Sequence, residues 1–151
     1  MTRYDNSRLG EADALLVKRA LEASESSYAP YSGFHVGAAV RMADGTVFTG
    51  SNQENVAFPA CVCAERVALL YAVSHSGSKP EALAVTARDS RGWVSDPVTP
   101  CGECRQVLLE LQRRFKAPVR VLMAGSGVTV VCESADELLP GAFTAASLNS
   151  H

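Results

Sequence analysis

Two short motifs far apart in the chain, Cys63-Ala64-Glu65 and Pro100-Cys101-Gly102-Glu103-Cys104, constrain the fold more than any other feature of the sequence. Together they offer three thiols and one carboxylate able to close on a single metal ion. The fold must therefore bring the starts of two apolar runs, Cys63–Val73 and Cys101–Phe115, to one point, and both runs read as helices. Zinc takes thiolates readily and prefers four ligands in a tetrahedron. Cys63, Cys101 and Cys104 supply three, which leaves the fourth position to water and separates a catalytic site from a closed structural one. Bound zinc lowers the pKa of water from about 15.7 towards 7. Glu65 is a poor fourth ligand beside three thiolates and a good proton shuttle for the bound water.

Three thiolates around Zn²⁺ leave a net negative centre, which makes a bound water a weaker acid. Two features offset this. Cys63 and Cys101 fall at helix N-termini, where free backbone N–H groups and the positive end of the dipole favour thiolate. Arg66 and Arg105 each directly follow a site residue and are placed to donate hydrogen bonds to sulfur. Cys61 competes with Cys63 as the ligand, but only Cys63 has Ala-Glu behind it. A structural zinc knot or a redox dithiol is the alternative for a lone C-x-x-C; the leading proline and the separate Cys-Ala-Glu favour catalysis.

The chain has 151 residues and is expected to form one domain, 1–151, with a loose lead-in over 1–11 and a tail over 142–151. It is 47% hydrophobic and 20% charged with net charge −2, which speaks against disorder and against a nucleic-acid partner. No run approaches the roughly 20 apolar residues of a membrane helix, and the N-terminus lacks a signal layout, so a cytoplasmic protein without a membrane partner is expected. Five cysteines, an odd number with three given to metal, suit a reducing compartment. The spare Cys61 and Cys132 are expected in the core.

Ala12–Ser26 carries Leu15, Leu16, Ala20 and Ala23 at helical spacing. Val36–Met42 and Val47–Ser51 read as strands around an Asp44-Gly45 turn. Ala82–Ala87, Val119–Ala124 and Val128–Cys132 are further strands, with Asp89–Thr99 a loop or bent strand in which Trp93 fills core. Ser134-x-x-Glu137 is a capping box for a short helix through Leu139. Arg113, Arg114 and Lys116 read as a solvated helix end. The order αββαβαββα predicts an α/β fold: a three-layer αβα sandwich on a mixed sheet of about five strands, the two ligand helices side by side.

A metal ligand, a spacer, a glutamate and a later P-C-x-x-C form the signature of zinc deaminases. The chain resembles the small homotetrameric cytidine deaminase family over most of its length. The likeness rests on Pro30-Tyr31-Ser32-Gly33-Phe34-His35-Val36-Gly37-Ala38-Ala39, Asn52-x-Glu54-Asn55, Cys63-Ala64-Glu65-Arg66, Pro100-Cys101-Gly102-Glu103-Cys104-Arg105-Gln106-Val107-Leu108 and Leu138-Leu139-Pro140-Gly141-Ala142-Phe143. The resemblance implies one zinc per subunit on Cys63, Cys101 and Cys104, with Glu65 as catalytic acid–base and Arg66 supporting the thiolates. It implies that Asn52 and Glu54 bind a ribose hydroxyl, a carboxylate there repelling the phosphate of a nucleotide. It implies that Phe34 packs near base and sugar, and that the Ala64 N–H and Thr99 carbonyl read the pyrimidine edge and leaving amine. Phe143 matches an aromatic that stacks on the base in a neighbouring subunit's pocket, giving a homotetramer with composite sites. The implied reaction is hydrolysis of cytidine or 2′-deoxycytidine to the uridine product and ammonia, as in pyrimidine salvage. Phe58-Pro59 stands where the family has Tyr-Gly, Ser51 replaces a cysteine and Gln53 an apolar residue. These departures at the pocket rim keep a modified cytidine, or an antibiotic nucleoside such as blasticidin S, as the alternative substrate.

Overall fold

The computed structural model describes residues 1–148; the last three residues of the expected tail, 149–151, lie outside the described residues. The strands are β1 Thr2–Asp5, β2 His35–Met42, β3 Val47–Ser51, β4 Pro80–Asp89, β5 Gly92–Trp93, β6 Arg120–Ala124 and β7 Val128–Cys132. The helices are α1 Glu11–Ala23, α2 Ala64–His75, α3 Gly102–Phe115 and the short α4 Ala145–Leu148. The sheet runs β1-β7-β6-β4-β2-β3, with β5 folded back onto the end of β4. Among the described strands only β4 and β6 pair in parallel, and α3 lies in the connection between them, the crossover a parallel pair needs.

Alternate residues of each central strand face opposite layers. Ala39, Ala84 and Leu122 pack under α1, through Leu16, Val17 and Ala20. Ala38, Val40, Leu83, Val85, Val121 and Met123 pack on the other face, against Ala64, Ala68 and Leu69 of α2 and Leu108 and Leu111 of α3. β4 is buried over Ala82–Ala87 because helices cover both of its faces, which is why it reads as a continuous apolar run. α2 and α3 thus share one face, as the sandwich requires.

Two glycines set how closely the helices approach. A Cβ on Gly37 of β2 would lie 1.9 Å from the Ala20 carbonyl oxygen of α1, and one on Gly50 of β3 would lie 2.6 Å from the Ala68 nitrogen of α2. Gly37→Ala is expected to destabilise the chain by about 1–3 kcal/mol through overpacking. Thermal melting checks this, at roughly 2–4 °C per kcal/mol for a chain of this size. An unchanged melting temperature would mean that α1 is not seated against the sheet.

Among the described residues the sheet has seven strands rather than about five. The expected lead-in over 1–11 contains β1, which pairs antiparallel with β7 from Thr2↔Val131 to Asp5↔Val128. Its pairing comes from the open edge of β7, and Tyr4 alone anchors it to the core. β5 returns through Arg88↔Trp93, where the Trp93 indole donates to Thr86 Oγ1 at 2.7 Å. The buried face of α1 is rotated by one residue: Leu16, Val17 and Ala20 are buried, whereas Leu15 is exposed. Val17 and the buried Asp13 complete that face, Asp13 being held by Arg41 at 3.6 Å and by Arg120. Ser134 caps the turn, but by accepting the Asp136 N–H at 3.3 Å rather than that of Glu137, while Glu137 takes the Glu133 N–H at 3.0 Å rather than that of Ser134, so the reciprocal box is not formed and the helix is a single 3₁₀ turn, Ala135–Leu138. Arg113 is tied to Asp136 at 2.6 Å, so the basic helix end is partly paired.

Candidate active site

Cys63 and Cys101 are the residues that cap α2 and α3, both extended in backbone (φ −75°, ψ 149° and φ −67°, ψ 170°) just before the first helical turn. Neither sulfur accepts a capping hydrogen bond from the backbone of its own helix, which leaves both available to the cluster. Cys104, one turn into α3, is fully buried beneath them. The three sulfurs lie within 4.8 Å of one another, with Cys63 to Cys101 at 3.6 Å and Cys101 to Cys104 at 3.5 Å. A tetrahedron of about 2.3 Å Zn–S bonds has edges of about 3.8 Å, so the spacing and the donor set both fit zinc. Among the described residues this is the one cluster of three or more side chains able to hold a metal.

The thiols are electrostatically graded. Hydrogen bonding from Cys104, then from Cys101 and Arg66, holds Cys63 down to about 5 against the opposing effect of burial. Cys104 is pushed well above the thiol range, first by its bond to Cys63 and then by burial. Arg66 approaches the Cys63 sulfur at 4.0 Å, the Cys61 carbonyl at 3.4 Å and the Glu103 carboxylate at 3.0 Å. Arg105 does not share that role: it donates to the carbonyls of Pro100 at 2.8 Å and Leu138 at 3.1 Å, bracing the loop before Cys101. Cys61 accepts the Asn55 N–H at 3.2 Å and donates to the Asn55 carbonyl at 3.6 Å. It therefore closes a loop and is neither a core residue nor a member of the thiol cluster, whereas Cys132 is a core residue as expected.

Glu65 sits in the first turn of α2, only 4% exposed, and lines a cavity of about 360 Å³ together with Cys63 and Cys101. Burial away from water pushes its carboxyl up to about 7, with the nearby Cys63 thiolate adding to the shift. Phe34, Asn52, Glu54, Ala64 and Thr99 line the same cavity, so five of the six residues implied by resemblance to touch substrate are gathered there. Val36, Val62, Val98, Tyr31 and Phe58 make the rest of the walls mainly apolar, with Gln53 and Cys61 also lining the cavity, and Tyr31 meets Phe58 edge-on at 6.0 Å at the rim. The sequence carried no signal for Val36, Val62 and Val98 beyond their place beside the motifs. Phe143 is 62% exposed and lies on a different surface, beside Gln106, Leu109 and Arg113.

Asn52 and Glu54 bind the loop that carries Tyr31 and Phe34. Glu54 Oε2 accepts the N–H groups of Tyr31 at 2.8 Å and Ser32 at 3.2 Å, and Oε1 accepts the Ser32 hydroxyl. The Ser32 hydroxyl chiefly, with those backbone donors, lowers the Glu54 pKa and keeps it ionised. Asn52 Nδ2 donates to the Phe34 carbonyl at 2.9 Å while Oδ1 accepts the Val36 N–H at 2.8 Å. These bonds leave one N–H on Asn52 and a remaining lone pair on Glu54 Oε1.

A family model described as the cytidine and deoxycytidylate deaminase zinc-binding region matches residues 11–118. The cytidine deaminase of Halalkalibacterium halodurans is 43% identical over 135 residues, covering 89% of this chain and 96% of the relative. That of Sporosarcina psychrophila is 40% identical, covering 89% and 93%. The crystal structure of cytidine deaminase from Burkholderia pseudomallei superposes with a TM-score of 0.74 at 41% identity, covering 85% of this chain and 97% of that one.

Proposed function

The chain belongs to the cytidine and deoxycytidylate deaminase zinc-binding family, and from that membership we propose the following working of its site. The protein is a hydrolase of cyclic-amidine C–N bonds that converts cytidine or 2′-deoxycytidine and water to the uridine product and ammonia. What carries this is the meeting of three zinc-spaced thiols and a buried carboxylate in one nucleoside-sized cavity.

Cys63, Cys101 and Cys104 would hold the zinc, which when bound would supply Lewis-acid charge and make water acidic at neutral pH. Glu65 takes the proton released as water adds at C4 of the base. It passes that proton to N3, then takes the proton of the new C4 hydroxyl and gives it to the amine, which departs as ammonia as the C4 carbonyl forms. Burial favours the protonated carboxyl, so that Glu65 can hold a proton as well as release one. The Ala64 N–H and Thr99 carbonyl orient the pyrimidine edge, and the Phe34 ring bounds the base and sugar. The N–H left on Asn52 and the lone pair left on Glu54 match one hydroxyl, which accepts one hydrogen bond and donates another. The ionised Glu54 disfavours a phosphate at the same place.

Phe143 is read as the aromatic contribution to a neighbouring subunit's site in a homotetramer. Its exposure on a single chain supports this, as does the exposure of Leu70 and Tyr71 on α2. The protein is read as one domain, placed in the cytoplasm and in pyrimidine salvage; the free thiols suit a reducing compartment, and among the described residues no helix is long and apolar enough to cross a membrane.

Parallel absorbance assays with cytidine, 2′-deoxycytidine, cytosine and CMP test the substrate class. Turnover of the two nucleosides, with cytosine and CMP inert, is expected; equal turnover of CMP would remove the sugar role of Glu54. Arg66→Gln is expected to keep one zinc per chain and slow turnover about tenfold, the usual scale for a group that supports a metal ligand. Zinc analysis with steady-state kinetics checks this, and an unchanged rate at unchanged zinc would remove Arg66 from the site.

A further inference from the structure

The Asn52 side chain is held by one more bond, and its direction identifies two further residues. Oδ1 accepts the Ser27 hydroxyl at 2.5 Å, in addition to the Val36 N–H. The amide orientation is forced. A backbone N–H only donates and a carbonyl only accepts, so turning the amide over would set donor against donor at Val36 and acceptor against acceptor at Phe34. Ser27 has a single hydroxyl proton, and it points to Asn52. The 3.2 Å contact between Ser27 Oγ and His35 Nδ1 must then be donated by the imidazole. The result is a one-way chain from His35 Nδ1–H to the Ser27 hydroxyl to Asn52 Oδ1. Neither Ser27 nor His35 lines the cavity; both stand behind Asn52.

We propose that Ser27 and His35 are positioning residues for recognition of the substrate's sugar. They saturate the Asn52 acceptor, so that Asn52 offers the cavity an N–H and nothing else. The sugar must therefore present an oxygen that accepts from Asn52, and a hydroxyl that does so has its own proton free for Glu54. Without the Ser27 proton, Oδ1 keeps only the Val36 bond, the amide is less firmly fixed, and the offered N–H loses its aim. The proposal rests on the nucleoside reading of the cavity given above. It concerns only the sugar, so its effects belong to binding and leave the chemistry at the base unchanged.

The test compares wild type with Ser27→Ala, Ser27→Thr and His35→Phe, using cytidine and 2′,3′-dideoxycytidine. Ser27→Ala is expected to raise KM for cytidine about three- to tenfold, the scale of one hydrogen bond, with kcat within about twofold. Ser27→Thr keeps the hydroxyl and is expected to restore KM. His35→Phe is expected to raise KM in the same sense. The penalty should vanish with 2′,3′-dideoxycytidine, which lacks the hydroxyls concerned. Proton–nitrogen correlation spectra of the wild-type imidazoles should show His35 protonated at Nδ1. An unchanged KM, an equal penalty on the dideoxy substrate, a fall in kcat alone, or His35 protonated only at Nε2 would each overturn the proposal. Failure of the nucleoside reading itself looks different: the zinc-loaded wild type would turn over neither substrate.

Discussion

Glu65→Ala is expected to keep its zinc and its fold while losing deamination by about 10⁴, the upper end of the range for acid–base groups. The upper end applies because one carboxylate handles every proton transfer in the proposed route, so no second group is left to share the loss. The residue is almost fully buried in the first turn of α2, at a cavity whose walls are mainly apolar. Bulk water is therefore a poor substitute for the missing carboxylate. Zinc should remain because the three clustered sulfurs come from Cys63, Cys101 and Cys104 and Glu65 is not a member of that cluster. Glu65→Gln serves as the packing control, since it fills the same space without a transferable proton. Metal analysis, circular dichroism and single-turnover kinetics on both variants check the expectation. Residual activity within about tenfold of wild type would remove Glu65 from the proton route.

Cys104→Ala is expected to bring bound zinc from one per chain to near zero and to abolish activity with it. Cys104 is the buried member of the cluster, fixed one turn into α3, and no fourth thiol stands by to replace it, because Cys61 is engaged with Asn55. A structural zinc site can contribute about 10–16 kcal/mol in small peptides. Here the hydrophobic core carries the fold, so a lower melting temperature is expected rather than unfolding. Cys61→Ala is the contrast, since it should keep zinc and most activity. Retention of stoichiometric zinc by Cys104→Ala, or its loss from Cys61→Ala, would reassign the ligand set.

The metal cluster was legible in the sequence because its geometry is local. Two helix starts and one i,i+3 step decide where three sulfurs go, and a glutamate two residues past a cap must lie in the first turn. β4 was legible for a similar reason, since an apolar run bounded by turn residues has few alternatives. β1 was not, because Thr2-Arg3-Tyr4-Asp5 has one apolar side chain and owes its pairing to the edge of β7. The rotated face of α1 was missed because Asp13 is buried by distant partners, Arg41 and Arg120, that no helical periodicity reveals. Resemblance pointed to Asn52 and Glu54 as sugar contacts. It gave no sign that both also hold the 27–36 loop, a role set by hydrogen bonds between segments far apart in sequence.

The most direct test is to incubate protein carrying one zinc per chain with cytidine and measure uridine and ammonia together. The expected result is equimolar release of both, rising in proportion to bound zinc across partly loaded preparations. No ammonia from cytidine or 2′-deoxycytidine at full zinc occupancy, or a rate independent of zinc, would contradict the proposed hydrolytic chemistry.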